Sequence, residues 1–391
     1  MMTTYMLHIN TTNYPGYPFW EMGAAGKCHF DRETFAQEIG IKIIDGFAYT
    51  WDDEPRDVLN SRLDGILGGL KQNDAVIVQW PFFTFKSHWI QTFIDRVHQF
   101  RSKLIFLIDD ISSWRVGPEL PSPDSAELPV YLSRSDVSEE VNFISQADGV
   151  IFHSAPMYDH FLEEMAVAGK TLTQNVTYYG PGGHGTAYFQ GRRQPDGGVD
   201  YAGALFKAPF LKKLPSDFKI NVYGAEKDDT ALAEHQNISL HKRVDPQAMP
   251  QMLEGSYGLI WDSEQYPGVI GPLGEYEKYN TPAKFPMYLS ANEPVIVWSQ
   301  ASTAPFVETN GIGLIVDSLA ELPDRLASVT PDQYNQMLDN VLRISPLIRS
   351  GFFLKKAIFE VLGLVYDNNL TTTRPDIISL DHLTGEKLNG K

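Results

Sequence analysis

Glu275-Tyr-Glu-Lys-Tyr-Asn-Thr-Pro-Ala-Lys-Phe-Pro-Met-Tyr-Leu-Ser-Ala-Asn-Glu-Pro-Val-Ile-Val-Trp298 passes from a polar loop through a helix start and a small-residue turn into an apolar strand. That succession is one α/β unit, and doubly wound proteins bind ligands at the strand ends of such units. Thr281 suits an N-cap and Pro282 the first helical position, which turns the first backbone N–H groups toward whatever lies in front. Lys284 follows Asn280 by four residues, a spacing that in a helical turn brings a cation and an amide over the same helix mouth. The ligand this suggests is a phosphate. Thr-Pro is also an ordinary way to begin a helix, and a first-turn lysine is commonly solvated. Pro286 removes one intrahelical hydrogen bond and bends the start. Support for an anion site therefore has to come from other strand ends.

Outward from this run, strand-like segments recur at 5–9, 41–44, 75–79, 104–108, 150–153 and 171–176. A second series follows at 199–204, 218–223, 238–241, 258–261, 295–298 and 314–316. Most are spaced widely enough for an intervening helix, the pattern of parallel βαβ units. The expectation is two doubly wound α/β domains, residues 1–180 and 199–350, joined through the turn-rich stretch between Thr177 and Gly198. Pro118 to Pro129 reads as a loop inside the first domain. The apolar pattern after Pro346 predicts a closing helix at 351–370, and 371–391 reads as a polar tail or an oligomer contact.

A chain of 391 residues with 43% hydrophobic content has enough apolar sequence for two cores. Its N-terminus lacks the basic region and cleavage site of a signal peptide, and no apolar run reaches membrane-spanning length. A cytoplasmic protein is expected. A formal net charge of -17 argues against nucleic acid as a partner, because phosphate-backbone binding needs a basic surface. Lysines at strand ends carry more weight in such a field. The one cysteine, Cys28, excludes an internal disulfide and reads as a filler more than as a nucleophile.

Three strand ends of the second half converge in principle on one crevice. Tyr201-Ala-Gly-Ala-Leu-Phe-Lys207 delivers a lysine, Asn221-Val-Tyr-Gly224 ends on a glycine, and Trp261-Asp-Ser-Glu-Gln-Tyr-Pro-Gly268 leads into the opening run. Together they suggest a nucleotide-diphosphate site. In the first half, Asp109 and Asp110 follow an apolar strand and are the carboxylates best placed to take a proton, with helix capping or a salt link to Arg115 as the alternative. Tyr14, Gly16, Tyr17 and Trp20 lie in the loop after the first strand, where they would stack on acceptor sugar rings or cover a helix end. No Asp-x-Asp motif sits where it would carry a diphosphate-bound Mg²⁺, so neither metal nor cofactor is expected.

Gly258-Leu-Ile-Trp-Asp262, Gly274-Glu-Tyr276, Tyr279-Asn-Thr-Pro-Ala-Lys284, Tyr288-Leu-Ser-Ala291, Pro294-Val-Ile-Val-Trp298 and Val316-Asp-Ser-Leu319 resemble bacterial sugar-nucleotide-dependent glycosyltransferases of GT-B architecture. More narrowly, they resemble the galactofuranosyltransferase-like group that includes the third glycosyltransferase acting on serine-rich repeat adhesins. Leu107 to Arg115 and Ala147 to Ser154 extend the resemblance into the first half. It implies a GT-B fold, two Rossmann-like domains facing a central cleft, with the C-terminal helix packing back toward the first. It implies a UDP-sugar donor held by Lys284 and Lys207, with Asn280 and Thr281 at the helix mouth. Tyr223, Gly224 and His241 would line the base and ribose. The acceptor would be a glycan on a protein such as a serine-rich adhesin or on a polysaccharide precursor, and the chain a homo-oligomer. The alternative is a non-catalytic subunit or chaperone of another transferase. Two departures stand out: Ala283 replaces the family's usual histidine, and an aromatic-rich run at 13–20 replaces its glycine loop.

Overall fold

The computed structural model describes residues 2–10, 23–47, 54–81, 87–116, 137–216, 218–225, 232, 235–367 and 379. They form two compact units, Met1–Tyr179 with Leu354–Arg374, and a second built around Gly180–Phe353. Each unit contains one six-stranded sheet whose neighbouring strands all pair in parallel.

The first sheet comprises β1 (Thr4–Asn10), β2 (Lys42–Phe47), β3 (Ala75–Trp80), β4 (Lys103–Ile108), β5 (Gly149–Phe152) and β6 (Val176–Tyr178). Their order is β2-β1-β3-β4-β5-β6, so the connections reverse direction between β1 and β3. Helix α1 (Ala24–Glu38) follows β1 in the chain. Every residue of β3 is buried, as expected for a parallel strand covered on both faces. The strand read at 171–176 begins only at Val176. Upstream of it, the Thr173 hydroxyl and the Asn175 amide both donate to the Asp148 carbonyl, so side chains hold this segment in place of a ladder.

The second sheet comprises β7 (Val199–Ala202), β8 (Ile220–Ala225), β9 (Ile238–Lys242), β10 (Tyr257–Leu259), β11 (Val295–Trp298) and β12 (Gly313–Val316). Its order, β12-β11-β10-β7-β8-β9, places the reversal between β7 and β10. In open parallel sheets, ligands bind at the carboxyl ends of the strands beside such a reversal.

The last helix lies within the 351–370 expected for the closing helix, and Pro346 itself belongs to the helix before it, Pro331–Arg349. It opens with a capping box between Thr330 and Gln333, and the apolar packing of Val341, Ile344 and Ile348 with Phe285 and Leu289 outweighs the one lost hydrogen bond. The break comes at Gly351, whose φ of +65° suits a residue without a side chain. The last helix, Phe352–Tyr366, then returns to the first unit. Its Leu354, Ala357, Ile358, Val361 and Val365 join one cluster with Met6, Ile77, Ile105 and Ile151. Gly149 makes room for it: a Cβ there would lie 2.8 Å from Val361 and from Val365.

Ile358 is fully buried in this cluster and its neighbour Phe359 is 59% exposed. Ile358→Ala is expected to destabilise the first unit by about 2–5 kcal/mol, whereas Phe359→Ala shifts stability by no more than about 0.5 kcal/mol. Urea unfolding of the two variants measures the contrast, and equal effects would refute the packing of this helix.

Candidate functional site

The helix Lys284–Ser290 is aimed by Tyr288. This ring lies against Gly258 of β10, where a Cβ would come within 2.1 Å of it. The Tyr288 hydroxyl accepts from Ala202 N at 2.7 Å and donates to the Asp200 carbonyl at 3.2 Å. A helix tied in this way to β7 and β10 delivers its first residue to the sheet reversal. There, Lys284 Nζ pairs with Asp262 and lies 4.6 Å from the centre of the Tyr201 ring. Lys207, at the end of the short 3-10 helix Leu205–Lys207, places Nζ 3.8 Å from the other Asp262 oxygen. Two lysines read separately from the sequence thus meet on one buried carboxylate at the ends of β7 and β10.

Glu277 lies behind Asp262. One of its carboxylate oxygens accepts from Asp262 N at 2.8 Å, and the other is buried without a hydrogen-bond partner among the described residues. Burial, followed by the Asp262 charge, pushes this carboxyl up to about 8, and Lys284 pulls only partly against them. Sequence reading missed both carboxylates as site residues, although Asp262 and Glu277 lie inside the two quoted fragments.

Thr281 is not the N-cap. The helix begins at Lys284 after Ala283, no side chain caps it, and the Thr281 hydroxyl donates to the Gly180 carbonyl at 2.8 Å. A seven-residue helix opened in this way lacks the expected capped mouth, so positive charge at the site comes from Lys284 and Lys207. Asn280 Oδ1 is buried with no hydrogen-bond partner among the described residues. Gly224, at φ +109°, lets β8 approach Gly203 so closely that a Cβ would lie 2.9 Å from the Gly203 carbonyl oxygen. Tyr223 is a buried ring whose hydroxyl donates to the Met252 carbonyl and accepts from Glu254 N. His241 stacks on it with ring centres 4.4 Å apart.

The first unit carries a buried polar cluster beside its own sheet reversal. Arg32 of α1 reaches Gln79 of β3, and its Nη2 donates to Asp109 at 2.6 Å and to the Tyr179 hydroxyl at 3.2 Å. His29 Nε2 lies 3.3 Å from the second Asp109 oxygen. Burial alone would raise the Asp109 carboxyl, but the Arg32 charge and then His29 hold it well below the usual carboxylate range. His153 is pushed down to about 4 by burial and the Arg32 charge, so it is a neutral partner whose Nε2 donates to the Asp109 carbonyl at 2.7 Å.

These contacts favour, for Asp109 and Asp110, the ion-paired alternative offered by the sequence over the role of proton acceptor. A carboxylate held so far below its ordinary range is a weak base, and Asp110 is engaged by Arg115. Glu140 takes the capping role, accepting from Ser112 N and Ser113 N at the start of the short helix Ser112–Val116. The Cys28 thiol is pushed up to about 12 by burial, which removes it as a nucleophile. Tyr14, Gly16, Tyr17 and Trp20 lie outside the described residues. Among the described residues, no helix is long and apolar enough to cross a membrane.

Residues 6–176 match the glucosyltransferase 3-like N-terminal domain, and residues 199–361 match the corresponding C-terminal domain. The chain is 27% identical to glucosyltransferase 3 of Streptococcus gordonii over 364 residues, covering 91% of this chain and all of that one. It is also 27% identical to the beta-1,6-galactofuranosyltransferase WbbI of Escherichia coli K12, over 80% of this chain and 86% of that protein. In fold it is similar to Anabaena HepE, solved in complex with UDP-glucose, with a TM-score of 0.52, 14% identity, and coverage of 93% of this chain and all of that one.

The Arg32–Asp109 pair gives a direct expectation. Because the Asp109 carboxyl is depressed in the fold, the pair stabilises above about pH 4 and its contribution fades on acidification. Arg32→Met leaves the buried Asp109 carboxylate with His29 but without its guanidinium partner and is expected to cost about 3 kcal/mol at neutral pH. The loss shrinks at pH 4.5, where the stranded carboxyl takes up a proton. Urea unfolding at both pH values checks this, and an equal loss at each would sink the ion-pair account.

Proposed function

The chain belongs to the glucosyltransferase 3-like family of GT-B glycosyltransferases, and we propose that it moves a hexose from a UDP-sugar to a glycan acceptor carried by a protein or a polysaccharide precursor. The observation that carries this reading is the convergence of Lys284 and Lys207 on Asp262 at the carboxyl ends of β7 and β10. Two cations at a sheet reversal are what a diphosphate needs in a chain of net charge -17. The names of the relatives support a sugar transferase, and the UDP-glucose in the complex of similar fold supports the nucleotide.

In this reading the lysines hold the diphosphate in the ground state and offset the charge that gathers on departing UDP, without a metal. Gly203 and Gly224 let the donor approach the backbone at the ends of β7 and β8, with His241 toward the base and ribose. Asn280 offers its buried amide oxygen near the same helix start. The run 11–22 connects the carboxyl end of β1 to α1, which supports an acceptor role for Tyr14, Gly16, Tyr17 and Trp20. A single cysteine fits the cytoplasm.

Calorimetry with UDP, ADP and GDP is expected to show preference for UDP, and Lys284→Ala to weaken UDP by about tenfold or more, or about 1.4 kcal/mol. Release of UDP from a UDP-sugar in the presence of a glycan acceptor, persisting in EDTA, tests the transfer itself. Equal affinity for the three nucleotides, or full affinity in Lys284→Ala, would overturn the donor assignment.

A further inference from the structure

We propose that one proton on Glu277 sets the charge of the donor site, so that a nucleoside diphosphate sugar binds with this carboxyl neutral and is rejected when it ionises. The proposal rests on the donor-site reading above. It starts from an oxygen left over: Glu277 is 1% exposed, one oxygen is used by Asp262 N, and the other has no hydrogen-bond partner among the described residues. A buried carboxylate with an orphaned oxygen is costly, and the protonated form avoids that cost.

The surrounding charges make this proton consequential. From the end of β10, Asp262 presents a carboxylate. The helix Lys284–Ser290 and the 3-10 helix Leu205–Lys207 present one ammonium group each, and β7 presents the Tyr201 hydroxyl. With Glu277 neutral, two lysines face one carboxylate and the site carries a net positive charge. With Glu277 ionised the charges cancel, leaving little to attract a diphosphate diester. The carboxyl sits at about 8, pushed there first by burial and then by Asp262, which places the change within reach of ordinary buffers.

The sign follows from linkage. A bound diphosphate further disfavours ionised Glu277, so binding raises its affinity for a proton and the complex takes up protons above about pH 8. UDP-glucose is the suitable probe, because its diphosphate is a diester with no terminal phosphate ionisation. Titration calorimetry at pH 6.5 to 9 is expected to give an affinity about tenfold weaker at pH 9 than at pH 7. In Glu277→Gln, which fixes the neutral state, the ratio between those two pH values is expected to collapse to about one. Wild-type protein titrated at pH 8.5 in buffers of differing ionisation enthalpy should take up most of a proton per donor bound, and almost none at pH 6.5.

A flat wild-type profile, absence of proton uptake at pH 8.5, or a pH 7 to pH 9 ratio in Glu277→Gln equal to that of wild type would each overturn the proposal. The proton count needs only wild-type protein, so it decides the matter even if the variant does not fold. Wild type that fails to bind UDP-glucose at pH 7 overturns the donor reading itself, whereas tight binding without pH dependence overturns the role of Glu277 alone.

Discussion

A charge removed from water must be met by an opposite charge or surrender its proton, and that constraint shapes both sheets. In the first unit Asp109 remains ionised because Arg32 and His29 meet it. At the ends of β7 and β10, Asp262 is met by two lysines, while Glu277 behind it feels the same lysines too weakly to offset burial and the Asp262 charge, and moves toward neutrality. Deeper in the second unit, Glu293 is fully buried, with the Arg193 guanidinium 3.9 Å away, and burial followed by the Asp200 charge raises its carboxyl well above the ordinary range. The three sites show successive solutions to one problem: a paired ion, a shared counter-ion and a carboxyl kept neutral.

The fold was legible in the sequence wherever both faces of a strand are buried. The nearly continuous apolar runs of β3 and β11 mark them, since a parallel strand under helices on both sides is mostly apolar, Gln79 being the polar exception in β3. The end of a strand in contact with side chains was harder to read, as β6 shows with its ladder displaced to Val176. A helix running through Pro346 is likewise not marked by local chemistry, which disfavours proline inside a helix: Ser345 Oγ donates to the Leu289 carbonyl at 2.6 Å, and the buried face around it belongs to tertiary packing.

The site was legible in part. Lys284 and Lys207 stood out because cations are scarce in an acidic chain, and Gly224 because a strand rarely ends on glycine without a close approach to make. Thr281 did not follow its local pattern because its hydroxyl has a partner at Gly180, far away in sequence. The Arg32–Asp109 pair spans 77 positions, and no periodicity within α1 marks that arginine. Asp262 and Glu277 are only 15 positions apart, yet what distinguishes them is burial, which a loop sequence does not display. With Ala283 before it, Lys284 shares the Asp262 carboxylate with Lys207 alone among the described cations paired to it.

The return of the last helix has a consequence during synthesis. Leu354, Ala357, Ile358 and Val361 cover the first unit's sheet, but a ribosome translates them only after all of β7 to β12. Until then the nascent chain carries a sheet face around Ile77, Ile105 and Ile151 with its cover missing, a state that exposes apolar surface to other chains. The first half to be translated is therefore among the last to be completed, and the middle of the chain can close its core while the beginning still waits for its end.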